Sequence, residues 1–246
     1  SNLEKERIPT RIIDLFDRPQ ALPDDPSNGE FGSRALSNMG DLTRAFVKIQ
    51  EGCDRGCTYC TIWISRGPVR SRRPEFVIRE VNSFYENGYK EIILTGVHIG
   101  RYSYDDMNLT GLFQCLLKET DMPRIRLSSL YPSEVDDALI DLISSNPRIC
   151  PHAHLSIQSG DDAVLKLMGR KYARRELVGL IEKLKSAVPR MTIGADMIVG
   201  FPGETGRNFQ NSFDLVERTG IHHLHVFPFS PRPGTIAATM PDEVDS

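Results

Sequence analysis

Phe46-Val47-Lys48-Ile49-Gln50-Glu51-Gly52-Cys53-Asp54-Arg55-Gly56-Cys57-Thr58-Tyr59-Cys60 joins a short alternating apolar run to three cysteines within eight positions. Residues 46–50 alternate as a β-strand does, with Val47 and Ile49 on one face and Lys48 and Gln50 on the other. The cysteines follow in a C-x3-C-x2-C loop flanked by Gly52 and Gly56, which supply the backbone angles such a loop needs. Thiolates at this spacing can converge on one inorganic centre and select zinc or iron–sulfur. Three cysteines without a fourth nearby leave a metal position open, as reactive sites do. A zinc site completed by a distant His98 or Cys150 is the alternative on spacing alone.

Outward from this loop the chain alternates strand and helix. Strands are predicted over 46–50, 91–95, 124–130, 154–158, 191–199 and 222–227. Helices are predicted over 76–87, 109–120, 133–145, 161–168, 174–187 and 205–219. Gly88 marks one helix end, and Ser133-Glu134-Val135-Asp136 reads as the start of another. Six strands separated by helices imply parallel pairing through right-handed crossovers, and six units are too few for a closed eight-stranded barrel. Alternation puts Lys48, Gln50, Thr95, Arg126, Ser128, His154, Ser156, Gln158, Asp196 and His225 on one face. Val47, Ile49, Leu94, Leu127, Leu155, Ile157, Met197 and Val226 share the other. The first face is too polar for a filled barrel core. The fold expected is α/β, an open partial (β/α)6 barrel of parallel strands around a wet cavity. Pairwise satisfaction of the same polar groups inside a packed sheet is the competing arrangement.

Composition agrees. The chain has 246 residues, a net charge of −3 and five cysteines. The odd cysteine count, with three crowded together, reads as a ligand set in a reducing compartment rather than a disulfide framework. No apolar run is long enough to span a membrane, and residues 1–18 are charged and mixed. The expectation is a cytoplasmic protein with no membrane association. Residues 1–42 read as an N-terminal arm and linker, rich in Pro, Asp, Ser and Gly from 18 to 41, with a short element over 8–16. Residues 43–235 form the core, and 236–246 a tail.

The loop C-x3-C-x-aromatic-C, with Tyr59 as the aromatic, resembles the cluster loop of the radical S-adenosylmethionine (SAM) superfamily. The resemblance implies a radical-SAM type barrel. It also implies a 4Fe–4S cluster held by Cys53, Cys57 and Cys60, whose fourth iron chelates SAM and whose electron releases a 5′-deoxyadenosyl radical. Residues 47–53, 65–72, 154–160, 168–172, 196–205 and 229–235 are similar to the methylthiotransferases of that superfamily. Leu94-Thr95-Gly96-Val97-His98-Ile99-Gly100 most resembles the branch acting on N6-threonylcarbamoyladenosine in tRNA. Trp63 and Ile64 stand where the family often has Pro and Tyr, and Gly169 where Asn is common. Family members also carry an N-terminal domain with three further cysteines for an auxiliary 4Fe–4S cluster, and a C-terminal RNA-binding domain. Neither set of residues is in this chain, so a core excised from a longer protein is expected.

The resemblance assigns SAM contacts to Tyr59, Thr95, Gly96, Ser128, Ser156, Gln158, Asp196 and Ile198, the last from an adenine-lining stretch running to Phe201. Arg66, Arg70, His98 and Arg170 are candidate substrate contacts. The first two lie in a basic run with Arg72 and Arg73, and Arg170 in a second with Lys171, Arg174 and Arg175. Such arginines can grip tRNA phosphates, or form a solvated charged face. His222, His223 and His225 suggest a metal cluster, but alternation splits them between faces and favours ordinary strand packing. Cys115 and Cys150 read as small buried hydrophobes. The function expected is methylthiolation of a modified adenosine in tRNA, with tRNA, SAM and an electron donor as partners and no side chain acting as a conventional acid or base. Isopentenyladenosine tRNA, a ribosomal protein, or a non-catalytic zinc-bearing RNA-binding role are the alternatives.

Overall fold

The computed structural model describes residues 31–32, 35–40, 42–242 and 244. The short element expected over 8–16 lies outside them. Strand β1 (Ala45–Glu51) buries Ala45, Val47 and Ile49 completely and turns Phe46 and Lys48 outward. After the cysteine loop come a one-turn helix, α1 (Ile62–Ser65), and a two-residue strand, β2 (Arg70–Ser71). Helix α2 (Pro74–Glu86) starts on Pro74, whose missing N–H belongs to the unpaired first turn, and buries Val77, Val81 and Phe84 along one stripe. Strand β3 (Glu91–Gly96) follows, then a small hairpin of β4 (Ser103–Tyr104) and β5 (Met107–Asn108). The Asn108 side chain caps α3 (Leu109–Glu119) by accepting from the Gly111 N–H.

The third strand position is broken into β6 (Arg124–Leu127) and β7 (Ser129–Leu130). Then come α4 (Asp137–Ser145), β8 (His152–Gln158), α5 (Asp162–Leu167), α6 (Arg174–Ala187), β9 (Thr192–Val199), α7 (Gly206–Thr219) and β10 (His223–Pro228). One four-stranded sheet runs β2-β1-β3-β6 and the other β10-β9-β8-β7. Within these two sheets all pairs are parallel except β1–β2. The halves join where β6 passes into β7, with a parallel bridge between Ile125 and Ile149. Six parallel strand positions result, with β1 and β10 at opposite ends. This is the open partial barrel expected from the alternation of elements. One continuous core fills the space between strands and helices, from Val47, Ile92 and Leu94 through Leu155, Ile193 and Ala195 to Leu112, Leu177 and Ile181. Each buried Val, Leu or Ile side chain among them contributes about 1.5–3 kcal/mol by leaving water.

Three expectations need correction, and two short features were not foreseen. The single strand over 124–130 is two strands, because the chain must pass from one sheet to the other at Ser128. The helix expected from Ser133 starts at Asp137, capped by Asp136, which accepts from the Leu139 N–H at 2.8 Å; residues 132–134 form a 3-10 turn instead. Val226, expected against helices, is instead 53% exposed on β10, the edge strand of its sheet. β2 and the β4–β5 hairpin are too short for periodicity to reveal. Among the described residues, no helix is long and apolar enough to cross a membrane.

Candidate cofactor site at the cysteine loop

The cysteine loop leaves the C-terminal end of β1 through a turn only glycine can make. Gly52 has φ +78°, and a Cβ there would sit 1.9 Å from the Pro68 carbonyl oxygen. The Cys53 N–H donates to the Gly67 carbonyl at 3.2 Å, closing the loop on itself. Fully buried Gln50 pins its entry. The amide nitrogen of Gln50 donates to the carbonyls of Glu51 (2.6 Å) and Gly52 (2.7 Å), and its oxygen accepts from the His98 N–H at 2.6 Å. The far side of the loop is tied down through Thr58. Its N–H donates to the Met168 carbonyl (3.1 Å), its hydroxyl to the Leu167 carbonyl (2.8 Å), and its carbonyl accepts from the Ala237 N–H (2.9 Å). Beneath lies a small apolar cluster of Val164, Met168, Phe201 and Ala237, with Tyr59 and Ile198 packed on it.

Each of the three thiols has a nitrogen partner. Nδ1 of His98 is 3.7 Å from Cys53 Sγ, Nη1 of Arg170 is 3.5 Å from Cys57 Sγ, and the Ile62 N–H reaches Cys60 Sγ at 3.4 Å. Burial would raise the Cys53 thiol, but its hydrogen bond with His98 and one from the Arg55 backbone hold it below the ordinary cysteine value. Cys60 is pushed up by burial and by the charges of Cys57 and Cys53. Behind His98, Nε2 lies 2.7 Å from a Glu134 carboxylate oxygen, and Glu134 also pairs with Arg55. Burial would lower His98, but Cys53 and Glu134 win and raise it. The Tyr131 ring lies between two guanidinium groups, 4.1 Å from Arg55 and 4.2 Å from Arg170.

Arg170 therefore differs from its expected role. It does not face solvent for phosphate; it reaches the Ser156 carbonyl, the Tyr172 hydroxyl (2.7 Å), the Tyr59 hydroxyl (3.5 Å) and Cys57. None of the oxygen partners carries a formal negative charge at neutral pH. His98 is likewise buried, with Nδ1 beside Cys53 Sγ. Arg72 of the first basic run is buried, pairing with Glu80 and donating to the Gly32 and Lys48 carbonyls. Arg66 and Arg70 remain exposed, Arg66 lying 3.6 Å from Glu51 and Arg70 stacked 5.2 Å from the Phe31 ring.

The other expected residues line the C-terminal halves of the strands. Thr95 is half-buried at the end of β3. The space above Gly96 is taken by the protein itself, since a Cβ there would lie 2.7 Å from the Gln50 carbonyl oxygen. Ser128, at the break between β6 and β7, donates its N–H to Leu94. Ser156 and Gln158 are half-buried; Gln158 has φ +71°, a left-handed conformation costing a non-glycine residue about 1–3 kcal/mol, and the β8–β9 register shifts there. Asp196 is engaged by His154 Nε2 (2.8 Å) and His225 Nδ1 (3.2 Å). Glu204, missed in the sequence, accepts from the N–H groups of Gly200 (2.6 Å) and Phe201 (3.4 Å), and its other oxygen is buried without a partner. Burial pushes its carboxyl upward against those two donors. Glu134 and Tyr131 were also missed. They belong to a strand-to-helix connection with no periodic signal, and only their proximity to Arg55 and His98 in space reveals them. A surface groove of about 590 Å³, lined by Tyr104, Met107 and Cys115 among others, shares no residue with this site.

An open parallel α/β barrel with a three-cysteine loop after its first strand is the architecture of one protein class, and the chain belongs to it: the profile of the Radical SAM superfamily matches residues 47–216. Within that class the similarity sharpens. The chain is 40% identical over 239 residues to the threonylcarbamoyladenosine tRNA methylthiotransferase MtaB of Thermotoga maritima, which covers 96% of this chain and 55% of that protein. It is 44% identical over 210 residues to the protein of the same name from Bacillus subtilis (83% and 46%). Against the tRNA-2-methylthio-N(6)-dimethylallyladenosine synthase of Staphylococcus haemolyticus it is 40% identical over 205 residues (82% and 40%). The chain thus spans about half the length of the curated relatives it matches. Among solved structures, the radical SAM methyltransferase TsrM of Kitasatospora setae superposes with a TM-score of 0.67 at 17% identity, covering 79% of this chain and 38% of that one. Methylornithine synthase PylB gives 0.56 at 15% identity, with 81% and 57% covered. These two likenesses speak for the fold.

Proposed function

We propose that the chain is the radical-generating core of a tRNA methylthiotransferase acting on N6-threonylcarbamoyladenosine, and that Cys53, Cys57 and Cys60 hold a 4Fe–4S cluster. The observation that carries this reading is the cysteine loop itself, anchored at both ends, with a nitrogen partner on every sulfur. Zinc fits less well. A tetrahedral zinc with bonds of about 2.3 Å to sulfur brings the sulfurs to about 3.8 Å of one another. Among the described residues, the three sulfurs do not all lie within 4.8 Å. A cluster is larger than a single ion, and a thiolate-bound cluster suits the uncompensated charge of Arg170.

One-electron reductive cleavage of SAM is the chemistry the cluster supplies when bound. The protein's part is to bind and orient. His98 and Arg170 direct N–H groups at two thiolates, and Tyr59 and Phe201 wall the loop from below. Thr95, Ser128, Ser156, Gln158, Ile198 and the Gly200–Glu204 turn supply polar and apolar contacts for SAM at the strand ends. Gly96 serves by letting β1 and β3 close up beneath them. Arg66 and Arg70 contact tRNA phosphate. Two observations favour the threonylcarbamoyl substrate. The MtaB match from Thermotoga maritima runs over 239 residues against 205 for the dimethylallyl synthase of Staphylococcus haemolyticus, and the 94–100 motif agrees. Residues 43–235 are the core of a longer protein, whose remaining parts would hold the auxiliary cluster and a further RNA-binding domain. An electron donor and the cytoplasm complete the setting.

The test reconstitutes the chain anaerobically, counts iron, and follows 5′-deoxyadenosine and methylthio-nucleoside separately. One 4Fe–4S cluster and slow 5′-deoxyadenosine formation without methylthio product are expected. A loaded, reduced sample that makes no 5′-deoxyadenosine counts against the core reading. Nucleoside analysis of tRNA from a deletion strain decides the substrate: loss of 2-methylthio-threonylcarbamoyladenosine is expected, and its persistence would move the assignment to another target.

A further inference from the structure

Asp196, expected to contact SAM, is instead engaged by His154 and His225, and these three side chains form a cluster outside the SAM contacts proposed above. We propose that His154, Asp196 and His225 form a mononuclear site for a divalent transition metal such as zinc or iron(II), separate from the cysteine loop. The three residues come from adjacent parallel strands, β8, β9 and β10, and one ligand atom from each lies within 4.8 Å of the other two. Asp196 Oδ1 is 2.8 Å from His154 Nε2 and 3.2 Å from His225 Nδ1. A tetrahedral ion with bonds of about 2.0–2.1 Å to nitrogen and oxygen sets neighbouring ligand atoms about 3.3 Å apart. The two Asp196 contacts therefore need to lengthen by at most about half an ångström, and the two imidazole nitrogens, within 4.8 Å of each other, come together around the ion.

The backbone places them. His225 is directly opposite Asp196, and His154 is opposite Gly194. A Cβ at Gly194 would lie 2.6 Å from His154 Nδ1, so the glycine creates the space in which the imidazole lies. The His154 and His225 rings are 4.9 Å apart. Two imidazoles and one carboxylate are a donor set that borderline divalent metals take, with positions left open for solvent or ligand. Access exists: the side chain of His225 is 49% exposed on the edge strand, while those of His154 and Asp196 are 10% and 18% exposed. The cysteine sulfurs are engaged by His98, Arg170 and the Ile62 N–H, and His154 and His225 by Asp196, so the two sites do not share ligands.

Cobalt(II) is the probe, because it separates the sites by colour. Thiolate ligands give strong near-ultraviolet charge transfer, whereas imidazole and carboxylate give only visible ligand-field bands. The protein carrying Cys53→Ala, Cys57→Ala and Cys60→Ala is titrated anaerobically, with thiol-alkylated parent protein as a second sample in case the triple variant folds poorly. One cobalt per chain is expected, with visible bands and no thiolate charge transfer, and zinc should displace it. Removing a group that merely orients a ligand costs about 10–100-fold in affinity, so His225→Ala should cost at least ~100-fold. His223→Ala, whose ring touches His225 but is not a ligand, should leave binding intact. Absence of stoichiometric cobalt binding in both thiol-free samples, or His225→Ala binding as tightly as its parent, overturns the proposal.

Discussion

Arg170 is a cation held among neutral oxygens and aromatic rings, with a cysteine sulfur 3.5 Å away. Such a group is uncomfortable until an anion arrives, and a thiolate-bound cluster is that anion. Hydrogen bonds to charged partners are worth about 1.5–3 kcal/mol. Arg170→Leu is therefore expected to weaken retention of reconstituted iron about 10–100-fold in competition with a chelator, and Arg170→Lys less. Equal retention in all three proteins would reduce Arg170 to a packing residue. Arg72 shows the opposite case, since its charge is fully used inside the protein. Removing one partner of a buried pair costs about 3–5 kcal/mol, so Arg72→Ala should lower the urea stability by that much. Arg66→Ala, half-exposed and 3.6 Å from Glu51, should change it by less than about 1 kcal/mol. Its effect belongs in tRNA binding, where a flatter salt dependence is expected. A single run of arginines thus contains two different kinds of residue, and only burial tells them apart.

Between β1 and β3 the site depends on how closely two strands approach. Gly96→Ala would place a methyl group 2.7 Å from the Gln50 carbonyl oxygen, a backbone atom that cannot swing aside. Gly52→Ala would place one 1.9 Å from the Pro68 carbonyl and also force φ +78° on alanine. Both variants are expected to keep the far-UV circular dichroism of the barrel and to lose most iron loading, Gly52→Ala more completely. Full loading of Gly52→Ala would show that the loop can close another way. The strands themselves and their two faces were legible in sequence, because Val47/Ile49 and Leu155/Ile157 alternate with polar residues at period two. The break at Ser128 was not, since the residues on either side remain strand-like and the change of sheet is set by curvature. The cap at Asp136 was confused with Ser133 because both carry capping side chains, and Glu134 between them is drawn to His98 and Arg55. The cysteines were legible because their spacing is itself the signal. The groups behind them, Glu134 and Tyr131, come from a connection some seventy residues away and acquire meaning only in space.

At the scale of the molecule, the two half-sheets meet near Glu91, and this carboxylate offers a test of whether they fold as one. Glu91 begins β3 and receives Arg124 and Arg126 from β6, each at 2.7 Å. β6 is also the strand bridged to the chain entering β8. Burial would raise the carboxyl, but hydrogen bonds and charge from the two arginines bring it from 4.5 to about 2. A carboxyl depressed on folding stabilises the native state above its unfolded value, and that stability is lost as pH falls from about 4.5 toward 2. The full shift corresponds to about 3 kcal/mol. The side chain of Arg124 is half exposed, and solvent screening brings the expected contribution to about 1–2 kcal/mol. Glu91→Gln should therefore lose about 1–2 kcal/mol at pH 7, and the gap to the parent should close as both are acidified from pH 5 to pH 3. Urea midpoints across that range measure it; a gap that stays constant would show that the pair does not titrate as linkage requires. The continuous core spans both half-sheets, so the parent and the variant should each unfold in one transition, followed by circular dichroism and by the fluorescence of Trp63. A variant that splits into two transitions would show that the seam at β6 and β7, rather than the shared core, couples the halves of the barrel.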